Sequence, residues 1–598
     1  MRTECSEEKP KEVIREDAFK EIVSNELDRV GSGGAFVWSL FFLCVTPNIL
    51  NGFHVSSYTL LGHLPDDQWC GVHDLKTTNW TLAEQRSIAQ KGLSTHGCTV
   101  WDWDYRQLSR MSYVDALNYT NHMSEINSPA EVSCRIKGVY EFEAPESTFV
   151  AEWELVCERA LQRTSAQVFL SLGKFFGSFS FGIFADKFGR KAAFTLGAAF
   201  FVISSFFCTF SPWYGLFLVG RFGLGAASSG LFYPAFTMIV ENVCLKHRSW
   251  MSIAFSASYP IGLILLAAAA YLIEPWRYLQ LTLTVPALLL ILNCYLMNES
   301  PRWLITTRRY AKAYRILFKQ MCHYQIENKA ELLKSSKEET KPELSLWSKI
   351  RDGPLKQLSE LFATWKMRRL IFTSYFMFCV TSLSYYVSAL NATNLSVSRF
   401  LYVAITGIVD IPSYLVPVIM LRYAGRRITT CSLFTLTGIA LMMVLVVPTG
   451  KFVVPSYSRK NIYFTLCIFV FLESTTWIVS FAMLGRFGIT ATYSIVTLYT
   501  AELYPTEIRN SALGTCSTWA HVGSISAPYV VDVLGQLGWY IPTTICGCCV
   551  LVAGLLTLTL PETGTEKLSD RLEKDSSGNN LEKEKAKEVI NNLIFSKI

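Results

Sequence analysis

Charged residues are what this sequence has least of. Asp, Glu, Lys and Arg make up 17% of its 598 residues, against about a quarter in an ordinary soluble protein, whereas 51% of the chain is apolar. That balance argues against an assembly of soluble domains and favours a membrane protein, with the lipid bilayer as its first partner. The signatures of energy-coupling and hydrolytic chemistry are missing too. There is no Gly-x4-Gly-Lys-Ser/Thr nucleotide loop, no His-Glu-x-x-His and no Gly-x-Ser-x-Gly, so an ATP-driven pump or a membrane hydrolase would lack the residues its reaction needs. No enzyme activity, cofactor or metal is expected. No basic start, short apolar core and small-residue cleavage site precede the first long apolar run. No signal peptide is therefore read, and residues 1–33 are expected to be a polar tail in the cytoplasm. The formal charge of +7 carries no implication of nucleic acid in so apolar a chain.

What the sequence does contain is a succession of apolar stretches of about 20 residues, the length that crosses a ~30 Å hydrocarbon core. Six fall at 34–61, 164–185, 192–211, 213–240, 249–273 and 276–297, and six more at 369–390, 398–421, 428–448, 475–503, 511–533 and 540–560. The expected fold is all-α and membrane-spanning. It has one six-helix bundle over 34–300, a cytoplasmic linker over 301–368, a second six-helix bundle over 369–560 and a charged tail over 561–598.

Residues 62–163 form a polar insert after the first stretch. It holds Cys70, Cys98, Cys134 and Cys157, an even set compatible with two disulfides in any of three pairings, and glycosylation sequons at Asn79 and Asn118. Both features belong outside the cell. Sequons at Asn391 and Asn394 fall on the same face. Lys187, Arg190, Lys191, Lys246, Arg248, Arg422, Arg426, Arg427 and Arg509 fall on the opposite one, which the distribution of positive charge marks as cytoplasmic, together with both termini. One segment, 449–474, spoils the match between halves: Arg190 to Ser300 spans 110 residues and Arg426 to Thr563 spans 137, a surplus of 27. Its apolar part, Ile462 to Leu472, is too short to cross, and the segment reads as an extracellular loop or as a retained intron.

Between the second and third stretches, GIFADKFGRK at 182–191 sets Asp186, Lys187, Arg190 and Lys191 among Gly182 and Gly189. The glycines permit a tight loop between close helices, and the charges can engage helix ends of the facing bundle. We expect a conformational latch here that also includes Arg221 and Glu241. The counterpart RYAGRR at 422–427 puts Arg422 where the acid is expected, which places the latch mainly in the first half. Two six-span halves with related loops indicate an internally duplicated transporter.

The decapeptide resembles the signature loop of the major facilitator superfamily. The runs AEWELVC at 151–157, WRYLQL at 276–281, NESPRWL at 298–304, GRFGITATYSIVTLYTAELYPTEIRN at 485–510 and LPETGTEKL at 560–568, with the cysteine-bearing insert, resemble its organic cation, anion and zwitterion transporter family. The sugar-porter branch shares the loop motifs but lacks the insert and the Glu-Trp-x-Leu-Val-Cys element. Asn298 stands where the family has Pro. The resemblance implies the major facilitator fold, with two pseudo-symmetric six-helix bundles, and a secondary transporter working by alternating access in the plasma membrane.

Candidate substrate residues are ionisable groups deep in the spans, where a lone charge costs at least ~2.5 kcal/mol. Lys174 lies about ten residues from either end of its stretch, too far to reach an interface, and should face a cavity or a partner, or pack beside the Gly173-x-x-x-Gly177 contact. By resemblance, Asp410 occupies the position of an acid that contacts substrate in cation-transporting members. Arg486 matches a basic position serving structure or substrate, and Phe378 and Tyr385, seven apart and so on one helix face, match substrate-facing positions. Ser228 and Leu231 stand where the family often has Lys and Trp. His521 occupies a position that is Asp in cation carriers and Arg in anion carriers. It can be neutral beside a cation, charged beside a carboxylate, a proton acceptor coupled to the cycle, or a packing residue. The substrate expected is a small organic ion, an organic cation or zwitterionic amine first and an organic anion as the alternative, with any co-transported or exchanged ion left open. The alternative of another class is a non-transporting receptor that binds through the insert.

Overall fold

Inside a bilayer every backbone N–H and C=O must be satisfied within the protein, which helices achieve segment by segment. The computed structural model describes residues 35–307 except 65–66, 91–96, 127–128, 143–146 and 244. It also describes residues 361–563 except 392–397, 422, 448–473, 505–508 and 539, together with 309, 312 and 316. The first half contributes α1 (Ala35–Ser56), α2 (Ala160–Phe188), α3 (Arg190–Phe210), α4 (Tyr214–Asn242), α5 (Trp250–Leu272) and α6 (Trp276–Leu296). The second contributes α7 (Trp365–Leu390), α8 (Arg399–Met420), α9 (Gly425–Met443), α10 (Ser474–Leu503), α11 (Arg509–Tyr529) and α12 (Ile541–Thr557). Eight of these, α2 to α8 and α10, are long and apolar enough to cross a membrane. The other four, α1, α9, α11 and α12, are helical where the sequence has its remaining apolar runs. The surplus segment over 449–474 lies outside the described residues except for Ser474, and so does most of the linker.

Without a hydrophobic force between helices in lipid, close backbone approach through small residues does the packing. The tightest case joins α2 to α4. A Cβ on Gly173 would sit 2.0 Å from the carbonyl oxygen of Phe222, and one on Gly225 would sit 2.0 Å from that of Leu170. In α5 the hydrogen-bond ladder is interrupted before Pro260, which has no N–H to give. Asn48 of α1 occupies the break, donating from Nδ2 to the carbonyl of Phe255 at 2.8 Å and to Ser258 Oγ at 2.9 Å. The halves meet where α2 lies along α11 and α5 along α8.

The insert is built from two antiparallel strand pairs. β1 (Gln68–Val72) pairs with β4 (Gly138–Phe142), with Cys70 opposite Tyr140, and β2 (Thr99–Trp101) pairs with β3 (Glu131–Ser133). Of the three pairings the sequence allows, the structure forms Cys70 with Cys134 and Cys98 with Cys157. The insert is seated on the first half by an aromatic cluster in which Trp153 meets Tyr214, Phe217 and Trp276 at ring separations of 5.2 to 5.4 Å. Beside it, Glu152 accepts from Trp276 Nε1 at 2.7 Å and from Arg277 Nε at 3.0 Å. The AEWELVC and WRYLQL motifs are thus two sides of one contact. Asn79 and Asn118 are exposed on the insert. Asn391, at the end of α7, is only 1% exposed and presents no free acceptor for a glycan, and Asn394 lies outside the described residues.

Candidate substrate site and its charge clusters

Asp410 on α8 and Arg486 on α10 are 0% and 1% exposed. The guanidinium grips the carboxylate through Nε at 2.9 Å and Nη2 at 2.6 Å, a bidentate geometry. Thr490, one turn beyond Arg486, donates to Asp410 Oδ1 at 2.7 Å. Tyr385 of α7 completes the arrangement: its carbonyl accepts from Arg486 Nη1 at 2.8 Å, and its ring lies 3.7 Å beneath the guanidinium. All of this lies within the second half. Asp410 is therefore not the open carboxylate expected of an amine contact, because its oxygens are committed to Arg486 and Thr490. Phe378 is likewise not open to the seam between the halves. It is buried in the core of the second half with Tyr375, Cys516 and Ala520.

Lys174 does reach that seam. Its Nζ donates to the hydroxyl of Tyr386 on α7 at 2.9 Å and lies 5.5 Å from that ring. Among the described residues no carboxylate pairs with it. Tyr259 of α5 and Tyr386 are close enough to interact electrostatically with each other, and Tyr259 also with Lys174. Tyr493 of α10 and Tyr233 of α4 extend the same group, so phenols from both halves gather here, with Tyr386 and Tyr259 beside the ammonium. His521 on α11 lies within electrostatic reach of Lys174, and its Nε2 is buried without a hydrogen-bond partner. Ser228 and Leu231 are buried in α4. Sequence reading misses the tyrosines, since aromatic residues in apolar helices are commonplace. Thr490 could be found from its helical spacing to Arg486.

At the end of the molecule that carries the insert, the halves are tied by one acid. Asp532, in the π-helical turn that follows α11, accepts from Arg163 Nη2, from Tyr58 OH at 2.7 Å and from Thr164 Oγ1 at 2.8 Å. Arg163 and Asp532 are almost fully buried. None of these four stands out in the sequence, because they sit at the edges of apolar runs where charge is ordinary.

The far end carries two clusters with one design. Gly189, at φ +112°, turns the chain from α2 into α3, a conformation that favours glycine. Glu299 accepts from the backbone N–H groups of Arg190 at 2.9 Å and Lys191 at 3.1 Å, so it satisfies the free end of α3. The Arg190 side chain pairs with Asp186 and Glu241, each at 3.1 Å, and Ser300 donates to Glu241. In the second half Gly425 has φ +72°. There Glu562 accepts from the N–H groups of Arg426 at 2.8 Å and Arg427 at 3.0 Å. Arg426 pairs with Glu502 at 3.0 Å, and Thr563 donates to Glu502 at 2.8 Å.

Three expectations need correction. The charge cluster expected mainly in the first half has a counterpart in the second, where Arg426 pairs with Glu502 as Arg190 pairs with Glu241, with no acid standing for Asp186. Gly182 permits no close helix approach, since nothing lies within 4 Å of where its Cβ would be. Arg221 belongs to neither cluster. It is buried toward the insert end of α4, bonded to the His54 carbonyl at 3.1 Å, Ser57 Oγ at 3.0 Å and Gln167 Oε1 at 3.1 Å.

Comparison with known proteins agrees with this architecture. The sugar (and other) transporter family profile matches residues 95–571. An organic cation transporter protein of Drosophila melanogaster is 29% identical over 551 residues, covering 92% of this chain and 93% of the relative. Organic anion transporter 3 of Homo sapiens is 30% identical over 433 residues, covering 72% of this chain and 75% of the relative. Among solved structures, the xylose transporter XylE from E. coli, in a partially occluded inward open conformation, aligns with a TM-score of 0.55 at 13% identity. That alignment covers 90% of this chain and 100% of XylE, a likeness of fold.

Proposed function

The chain belongs to the organic ion transporter family of the major facilitator superfamily, and from that premise we propose that it is a secondary carrier moving small organic ions across the plasma membrane by alternating access. The insert faces outward and both termini face the cytoplasm. One observation carries the reading. Among the described residues the ion pair that crosses between the halves, Arg163 with Asp532, lies at the insert end, whereas the charge clusters of the far end close within each half. Such an arrangement holds the outer end shut and leaves the inner end free to part, which is one of the two states a rocking carrier needs. The amine preference expected from sequence loses its main support, because the carboxylate meant to receive the amine is already neutralised by Arg486.

The test is counterflow in proteoliposomes: vesicles loaded with an unlabelled organic ion should accumulate the labelled ion transiently against its gradient. Saturable binding with no flux in either direction would sink the carrier reading and favour a receptor that uses the insert.

A further inference from the structure

Away from the far-end clusters and the seat of the insert, the described helices place the cations Arg163, Lys174, Arg221 and Arg486 inside the bundle, with Asp410 in α8 and Asp532 just beyond α11 as the acids beside them. Two of the cations are cancelled by direct pairs, Arg486 by Asp410 and Arg163 by Asp532. Arg221 is 1% exposed, and its donors are spread over acceptors of its own half. It raises the local positive potential but has no open face. Lys174 differs on each count. It is only half-buried, lies at the seam, and directs an ammonium with three donors at a single neutral oxygen, Tyr386 OH at 2.9 Å.

We propose that Lys174 is the specificity-determining residue of the central site, and that the substrate it selects is a small organic anion whose carboxylate or sulfonate head displaces the Tyr386 hydroxyl from the ammonium. This rests on the carrier reading and names its substrate class. His521 supports it from the opposite helix. With its proton on Nε2, the ring presents a donor that has no partner among the described residues and lies within electrostatic reach of Lys174. The body of the anion meets the rings of Tyr386 and Tyr259, which lie beside the ammonium and offer apolar faces and no charge. A cation placed there would face an uncompensated ammonium, and at this depth two like charges repel strongly because little water screens them.

The experiment uses full-length protein in proteoliposomes and three labelled probes of permanent charge: p-toluenesulfonate, benzyltrimethylammonium and glycine betaine. Counterflow of p-toluenesulfonate is expected to exceed that of benzyltrimethylammonium at least about tenfold. Lys174→Met should lower it by about tenfold or more, the scale of one lost charge contact, and Lys174→Arg should restore most of the loss. Preferred flux of benzyltrimethylammonium or betaine overturns the anion assignment and leaves the carrier standing, as does unchanged sulfonate flux in a folded Lys174→Met. Flux of none of the three through folded wild-type protein overturns the carrier reading and this inference with it. Should Lys174→Met fail to reach the membrane, the charge selectivity of the wild type decides the question alone.

Discussion

A charge sealed in protein is tolerable only while its counter-charge is there. Removing one partner of the Asp410 and Arg486 pair leaves the other buried and alone, which costs about 3–5 kcal/mol, whereas neutralising both together is far milder. Asp410→Asn should therefore lower the thermal midpoint and the surface level of the protein, and Asp410→Asn combined with Arg486→Gln should recover most of both. A single variant as stable as wild type would refute the pairing. The pair also marks where residue-by-residue reading stops. Asp410, Arg486, Lys174 and His521 are legible from sequence, because ionisable groups in apolar runs are conspicuous. That the first two close on each other is not, since 76 residues separate them and no periodicity relates one helix to another. Lys174 and His521, by contrast, come within electrostatic reach of each other across the seam.

At the scale of elements, the ends of α3 and α9 are held by carboxylates that come from outside either loop motif. Glu299 and Glu562 each accept from two consecutive backbone N–H groups, so Glu299→Gln and Glu562→Gln should destabilise by similar amounts, about 0.5–2 kcal/mol each. Thermal midpoints of the two variants, measured side by side, check this, and one silent variant would break the equivalence of the repeats. The insert makes a second prediction. Truncating Trp153 to Ala removes the ring that seats it on Tyr214, Phe217 and Trp276, a loss of about 3–5 kcal/mol. Reduced maturation at the cell surface should follow, with both disulfides still formed on non-reducing gels. The insert's thiol content is legible in the sequence. The partners of its four cysteines are not, because spacing alone allows every pairing.

At the scale of the whole molecule, the apolar runs are legible because a bilayer demands length and uniformity, and that demand is written locally. The polar tie between the halves at the insert end is not legible, since it depends on Tyr58, Arg163, Thr164 and Asp532, which look like ordinary residues at span edges. Asp532→Asn should loosen the end that carries the insert. A Ser171→Cys reporter, placed where Ser171 meets the Ser524 carbonyl across the seam, should then react with an impermeant thiol reagent from the insert side about tenfold faster, the effect of shifting an equilibrium by ~1.4 kcal/mol. An unchanged rate would remove Asp532 from closure of that end.

The bond between Lys174 and Tyr386 joins a residue of one half to a residue of the other. An anion that draws the ammonium away from the phenol, as proposed above, also unfastens a clasp between the two bodies. Recognition and release of the machinery are then a single event, and a molecule too weak to win the ammonium stays bound to a resting protein without ever being carried.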